Sequence, residues 1–249
     1  MLKVNTILSW IFLGFNLFWS LNLYSQQAEI IYQATAISQS TENKSHNNNL
    51  KSLARYANKG LANLEFVVKT NDYTNIVTYT EKLQNDFEVG NLKNLALSIA
   101  LDGKKIVVDN SQNIAYYEPI LVDKIRSVST RNLKWEILEE SKNILGYECF
   151  KALGTLENLD EEGKLSAPAV AWFCPKLPMR GGPTAYATLP GLILEIENKK
   201  VKFLAVNIRI MKKSTMNIPE YKEGDILPHK EWNAYFNANN PLSRLNNKK

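Results

Sequence analysis

Apolar and polar residues alternate with a period of two along most of the chain. Leu64, Phe66 and Val68 stand opposite Glu65 and Lys69, and Leu133, Trp135 and Ile137 stand opposite Lys134 and Glu136. This alternation marks strands with one packed face. Gln27 to Ile37, Tyr73 to Lys82, Ile114 to Tyr117, Gly146 to Leu153 and Leu192 to Glu197 read the same way. Leu95, Leu97, Ile99 and Leu101 also keep the period, which predicts a strand. Asp102-Gly103 before Lys105-Ile106-Val107-Val108 then predicts a hairpin. In Val201 to Met211 the apolar phase slips from Phe203 and Ala205 to Val206, Ile208 and Ile210. A slip of one residue turns side chains to the other face, so a β-bulge is expected near Ala205-Val206. Only two stretches read as helices. Leu50, Leu53, Ala54 and Ala57 follow Asn49 as a cap and precede Gly60 at the C′ position, after a polar loop from Gln39 to Asn49. Pro228 opens the second, which carries Trp232, Tyr235 and Phe236 on one side. Ile120 to Arg126 is ambiguous. Nine or ten strands with local connections and two short helices predict a mainly β fold. Its sheet should be antiparallel and strongly curved, like a half-barrel or bowl.

The chain has 249 residues, 45% of them apolar, enough for one substantial core. Its net charge of +5 is spread along the sequence. No cluster of five or six basic residues marks a nucleic-acid footprint. Residues 1–25 change the picture more. Lys3 supplies a positive start, Ile7 to Leu23 is mostly apolar, and Leu23-Tyr24-Ser25 ends in a small residue. That is the pattern of a cleaved secretory signal. It predicts a periplasmic or extracellular protein, with residues 26–249 as a single domain and no membrane span after cleavage. With an oxidising compartment expected, Cys149 and Cys174, the only two cysteines, form either a disulfide or a pair of buried thiols.

Ala171 to Glu197 is the most specific window. It holds Trp172, Cys174, four of the nine prolines and three of the eleven glycines. Leu189-Pro190-Gly191-Leu192 suits a type II turn, and Gly181-Gly182-Pro183 makes a second bend. The two bends make this chiefly an architectural device feeding the strand Leu192 to Glu197.

Candidate chemistry is sparse. The chain lacks GxSxG, HExxH, GxGxxG and P-loop motifs. His46 and His229 are the only histidines, too few for a metal centre, and no cofactor is expected. Glu195 and Glu197 fall on one side of one strand, about 7 Å apart by strand rise. They are either an acid and base pair for glycoside cleavage or a solvated face. Trp135, Tyr147, Trp172, Phe173 and Tyr186 are either core or the lining of a carbohydrate or lipid site.

Trp135, Glu140 to Ala152 (ESKNILGYECFKA), Ala171-Trp172-Phe173, Gly182-Pro183 and Leu189-Pro190-Gly191-Leu192-Ile193-Leu194-Glu195 together resemble the GLPGLI family. These are exported proteins of Bacteroidetes, largely of unknown function. The resemblance is tight over Trp135 to Glu197. Thr188 stands where the family's leading glycine belongs, and Cys174 where a Thr is more usual. The resemblance implies a non-catalytic envelope or secreted protein. A similar bowl-shaped module precedes the catalytic part of some bacterial peptide-N-glycosidases, and no such part is expected to follow here. The family carries no agreed active site to transfer.

Three functions follow. The first is an accessory or binding module for an envelope protein or glycan, using Trp135, Trp172, Tyr186 and Glu195. The second is a carrier holding an apolar ligand in a hollow lined by Leu95, Leu97 and Trp135. The third is a hydrolase using Glu195 and Glu197.

Overall fold

The computed structural model describes residues 26–37, 44–71, 73–82, 89–131, 133–156, 169–185, 187–211, 216 and 219–241. The signal segment, Tyr186, residues 39–43 of the polar loop and the basic tail lie outside them. Twelve strands among the described residues form one open sheet. In chain order these are β1 (Gln27–Ala36), α1 (Lys44–Leu61), β2 (Leu64–Thr70), β3 (Thr74–Glu81), α2 (Val89–Ala100), β4 (Lys105–Asp109), β5 (Ile114–Glu118) and β6 (Ile125–Ser129). There follow β7 (Leu133–Ile144), β8 (Tyr147–Leu156), β9 (Ala169–Cys174), β10 (Leu192–Glu197), β11 (Val201–Met211), β12 (Ile226–Pro228) and α3 (His229–Asn239). The strand order is β12-β6-β5-β4-β3-β2-β1-β11-β10-β9-β8-β7. Every pairing is antiparallel except β12 with β6. The fold is mainly β, as the alternation predicts.

The curvature can be measured against a flat sheet. Asn75 in β3 and Ile193 in β10 are four strand spacings apart, about 19 Å if the sheet were flat. Both nevertheless bond to one dipeptide. The Ile193 N–H donates to the Gly181 carbonyl (2.9 Å). The Asn75 side chain donates to the Gly182 carbonyl and accepts from the Gly182 N–H, each at 3.0 Å. The sheet is therefore curled, and Gly181-Gly182 pins its two halves together. Tyr32, fully buried in β1, donates to the Ile193 carbonyl across the same concavity (2.5 Å).

Two expectations change here. Leu95 to Leu101 is not a strand. It belongs to α2 and the turn after it, and Ala96, Leu97, Ala100 and Leu101 are buried at helical spacing. Four apolar positions in period two also satisfy a helix when small alanines fill the places between. Gly60 is not a helix terminator. It sits inside α1, where a Cβ would lie 2.3 Å from the Leu92 carbonyl oxygen of α2. The glycine is needed for close helix contact, and α1 starts at Lys44, earlier than the polar composition suggested.

These two helices fill the bowl. Ala57, Leu61, Leu97 and Leu101 join Tyr32, Phe66 and Phe203 in one core. Asn58 clamps α1 to the end of β1, accepting from the Ala36 N–H (2.6 Å). The hollow expected beside Leu95, Leu97 and Trp135 is therefore occupied, because Leu97 is core and Leu95 and Trp135 pack against it. The bulge expected near Ala205-Val206 is present. Tyr32 pairs with Ala205 and Ile31 with Asn207, leaving Val206 as the extra residue. Pro228 does open α3, whose Trp232 ring lies 6.1 Å from Tyr235 and 5.7 Å from Phe236.

Candidate functional site

Glu195 was the sharpest candidate for chemistry, and the structure engages it fully. Lys151, Trp172, Glu195 and Leu204 stand directly opposite one another on β8 to β11. Glu195 is only 8% exposed. Lys142 Nζ lies 2.7 Å and Lys202 Nζ 2.9 Å from its two oxygens. Burial alone would raise the Glu195 carboxyl, but the hydrogen bonds and charges of the two lysines outweigh it and hold the group below the ordinary range. It has no proton to donate near neutral pH, which is what a general acid needs. Glu197 is exposed and, among the described residues, joins no such network. Glu195 and Glu197, opposite Trp172 and Val170, share one side as expected, and a bulge at Leu194 precedes them. Ile193 pairs with Phe173 and Glu195 with Trp172, so Ile193 and Glu195 do not share a side.

The tryptophans are tied into the same fabric. Lys142 Nζ sits 4.2 Å from the Trp172 ring centre and Lys151 Nζ 6.0 Å. Lys151 is in turn held by Glu140 at 2.9 Å. Trp135 lies over Gly154, where a Cβ would be 2.7 Å from the ring. Its Nε1–H donates to Thr188 Oγ1 (3.0 Å), so the residue that replaces the expected glycine serves as an anchor. Phe173 is core.

The bends differ from expectation in detail. The Gly191 N–H donates to the Leu189 carbonyl (2.9 Å), a tight turn around Pro190, while the Leu192 N–H goes to Leu177 (3.0 Å) instead of closing a type II turn. Gly191 still has a positive φ of 150°, and a Cβ there would meet the Cys174 carbonyl oxygen at 2.3 Å. Gly182 passes Ile193 closely, and Pro183 behind it is buried. Cys149 and Cys174 are free, buried thiols. The register Phe150↔Phe173 and Lys151↔Trp172 sets them directly opposite each other on β8 and β9. Burial, then the neighbouring Cys174, pushes the Cys149 thiol up to about 12.

A feature that sequence reasoning missed lies on the outer face of β3 to β5. Thr74 pairs with Asp109 and Val107 with Tyr116, so these four side chains share one face. The segment before β12 brings Pro219 and Tyr221 over them, and Tyr73 at the β2–β3 turn closes one end. The result is a cleft of about 380 Å³ that is open to solvent. Tyr116 and Tyr221 rings are 5.2 Å apart. Burial, then the Asp109 charge, raises the Tyr116 phenol. Tyr73 is 65% exposed. Asp109 Oδ1 accepts from the Ser111 and Gln112 N–H groups (2.9 and 3.0 Å) and from Ser111 Oγ (2.5 Å). The Asn110 N–H donates to the Tyr73 carbonyl (2.8 Å), which ties the rim together. The cleft was not legible because its tyrosines come from three distant segments and nothing local links them. Among the described residues no group of three or more His, Cys, Asp or Glu gathers for a metal, and no helix is long and apolar enough to cross a membrane.

Comparison with known proteins places the chain in a family. The model of "N-glycanase peptide, N-terminal domain" matches residues 39–230, and the chain belongs to that family. No curated protein matches it. Among solved structures, PNGF-II in the C2 space group is similar at 14% identity over 85% of this chain, with a TM-score of 0.47. PNGF-II in a second space group is similar at 15% identity over 82%, with a TM-score of 0.45. The chain spans about a third (32%) of the length of each.

Proposed function

We propose that this member of the N-glycanase N-terminal-domain family is a non-catalytic accessory module that binds the glycan of a glycoprotein partner. The observation that carries the reading is the open tyrosine cleft, a preformed hollow with a few convergent polar groups. Family membership supports a glycan as its target. The state of Glu195 supports a non-catalytic role, since its carboxylate is committed to Lys142 and Lys202. The reading includes export to the periplasm or cell exterior, on the pattern of residues 1–25, and kinship with the exported GLPGLI proteins.

The test uses an immobilised glycoprotein carrying neutral N-glycans and the same protein after its glycans are removed. Surface plasmon resonance should show binding to the first and at least a tenfold loss on the second. Equal binding to both would overturn the glycan reading. Glycan released into solution, detected by mass spectrometry, would overturn the non-catalytic one.

A further inference from the structure

The geometry points to the tyrosine cleft as a subsite for a neutral pyranose ring, closed to anionic sugars; this rests on the glycan reading above. A pyranose presents one face rich in C–H bonds and a rim of hydroxyls. The cleft offers the complement of both. Val107 forms an apolar floor, and the Tyr116 and Tyr221 rings stand beside it. Tyr73 lies at the mouth with most of its ring free to stack on a sugar face. Asp109 supplies the polar pole. Its Oδ1 is committed to the Ser111–Gln112 turn, while Oδ2 receives no hydrogen bond from the described residues. An ionised carboxylate oxygen held at a rim is a strong acceptor for a sugar hydroxyl.

Charge decides the class of sugar. Among the described residues the cleft is lined by one carboxylate and by no lysine, arginine or histidine. The nearby Lys105 is paired with Glu118 at 3.0 Å, and Glu118 also accepts from Tyr221. A sialic acid carboxylate, sulfate or phosphate would meet Asp109 with no cation among the described lining residues to offset it, and like charges repel. The site is also built before any ligand arrives. Strand pairing fixes Thr74, Asp109 and Tyr116, and Tyr221 is held by its bond to Glu118. Little ordering is then needed on binding, and weak stacking can register as affinity.

The experiment is titration calorimetry of the full chain with N,N′-diacetylchitobiose and mannobiose as neutral probes and 3′-sialyllactose as the anionic one. Tyr73→Ala and Asp109→Asn are the variants, because Tyr73 is exposed and an Asn Oδ1 preserves the turn. The wild type should bind a neutral probe and reject sialyllactose. Both variants should weaken binding at least about fivefold, with unchanged circular dichroism. Binding that persists in both variants overturns this cleft and leaves the glycan reading standing. Equal binding of sialyllactose overturns the charge selection. No binding of any probe, together with no preference for the glycosylated protein in the resonance assay, overturns the site and the function at once.

Discussion

Replacing Glu195 separates a structural carboxylate from a catalytic one by the sign of the stability change. The wild-type side chain is nearly buried and receives Lys142 at 2.7 Å and Lys202 at 2.9 Å. Hydrogen bonds to charged groups contribute about 1.5–3 kcal/mol each, net of exchange with water. Two facts reduce that here. In Glu195→Gln the amide oxygen still accepts from one lysine. The lysines, about a third and two-fifths exposed, regain water when released. The expected loss is about 2 kcal/mol at pH 7. The pH dependence follows from the lowered carboxyl. A group whose folded value lies below its unfolded one stabilises the protein above the unfolded value, here near 4.5, and that contribution disappears as pH falls through the folded value. The gap between wild type and Glu195→Gln should be constant from pH 8 to about 5 and close progressively below 4.5. Urea denaturation at pH 7, 5, 4 and 3 measures it, with m unchanged if only stability moves. A cycle with Lys202→Met should show a coupling of about 0.5–1.5 kcal/mol, since the two groups touch. A buried carboxylate kept for catalysis usually costs stability, so its removal would leave the protein as stable or more so. That outcome, or a gap that does not narrow with acid, refutes the structural assignment.

Three further substitutions test the packing. Gly60→Ala should destabilise by about 1–3 kcal/mol although alanine is the better helix former by about 1 kcal/mol, because the new Cβ would press on the α2 backbone; a raised melting temperature would contradict the close crossing. Gly191→Val should lose at least about 1 kcal/mol through its positive φ and its clash with the Cys174 carbonyl, and an unchanged urea midpoint would remove that account. Arg126 stacks 4.3 Å from the Tyr117 ring and 5.8 Å from the Trp232 ring and pairs with Asp102. Arg126→Met should therefore weaken hydrogen-exchange protection in α3 by about 1–2 kcal/mol while leaving α1 unchanged, and equal loss in both helices would place the residue elsewhere in the energetics.

What local order dictates was legible, and what long-range closure dictates was not. Period-two alternation announced most of the strands, the phase slip in β11 announced its bulge, and Pro228 announced α3. These depend on neighbours in the chain, so the residues themselves carry them. The same local rules misread Leu95 to Leu101 and Gly60. There the deciding partner is another helix, and a short apolar run fits either period until that partner is in place. Glu195 shows the limit at a single side chain. Its strand was evident, but its commitment depends on Lys142 and Lys202, the first of them 53 positions away. The tyrosine cleft shows it for a site. Tyr73, Tyr116 and Tyr221 become neighbours only because β3, β4 and β5 pair in register and the segment before β12 folds back across them. The chain alone determined the mainly β class, the expectation of a curved antiparallel sheet and the bulge in β11. The contacts that pin the curved sheet, the helices filling it and the cleft on its outer face were decided by tertiary structure, because each joins groups that sequence distance keeps apart.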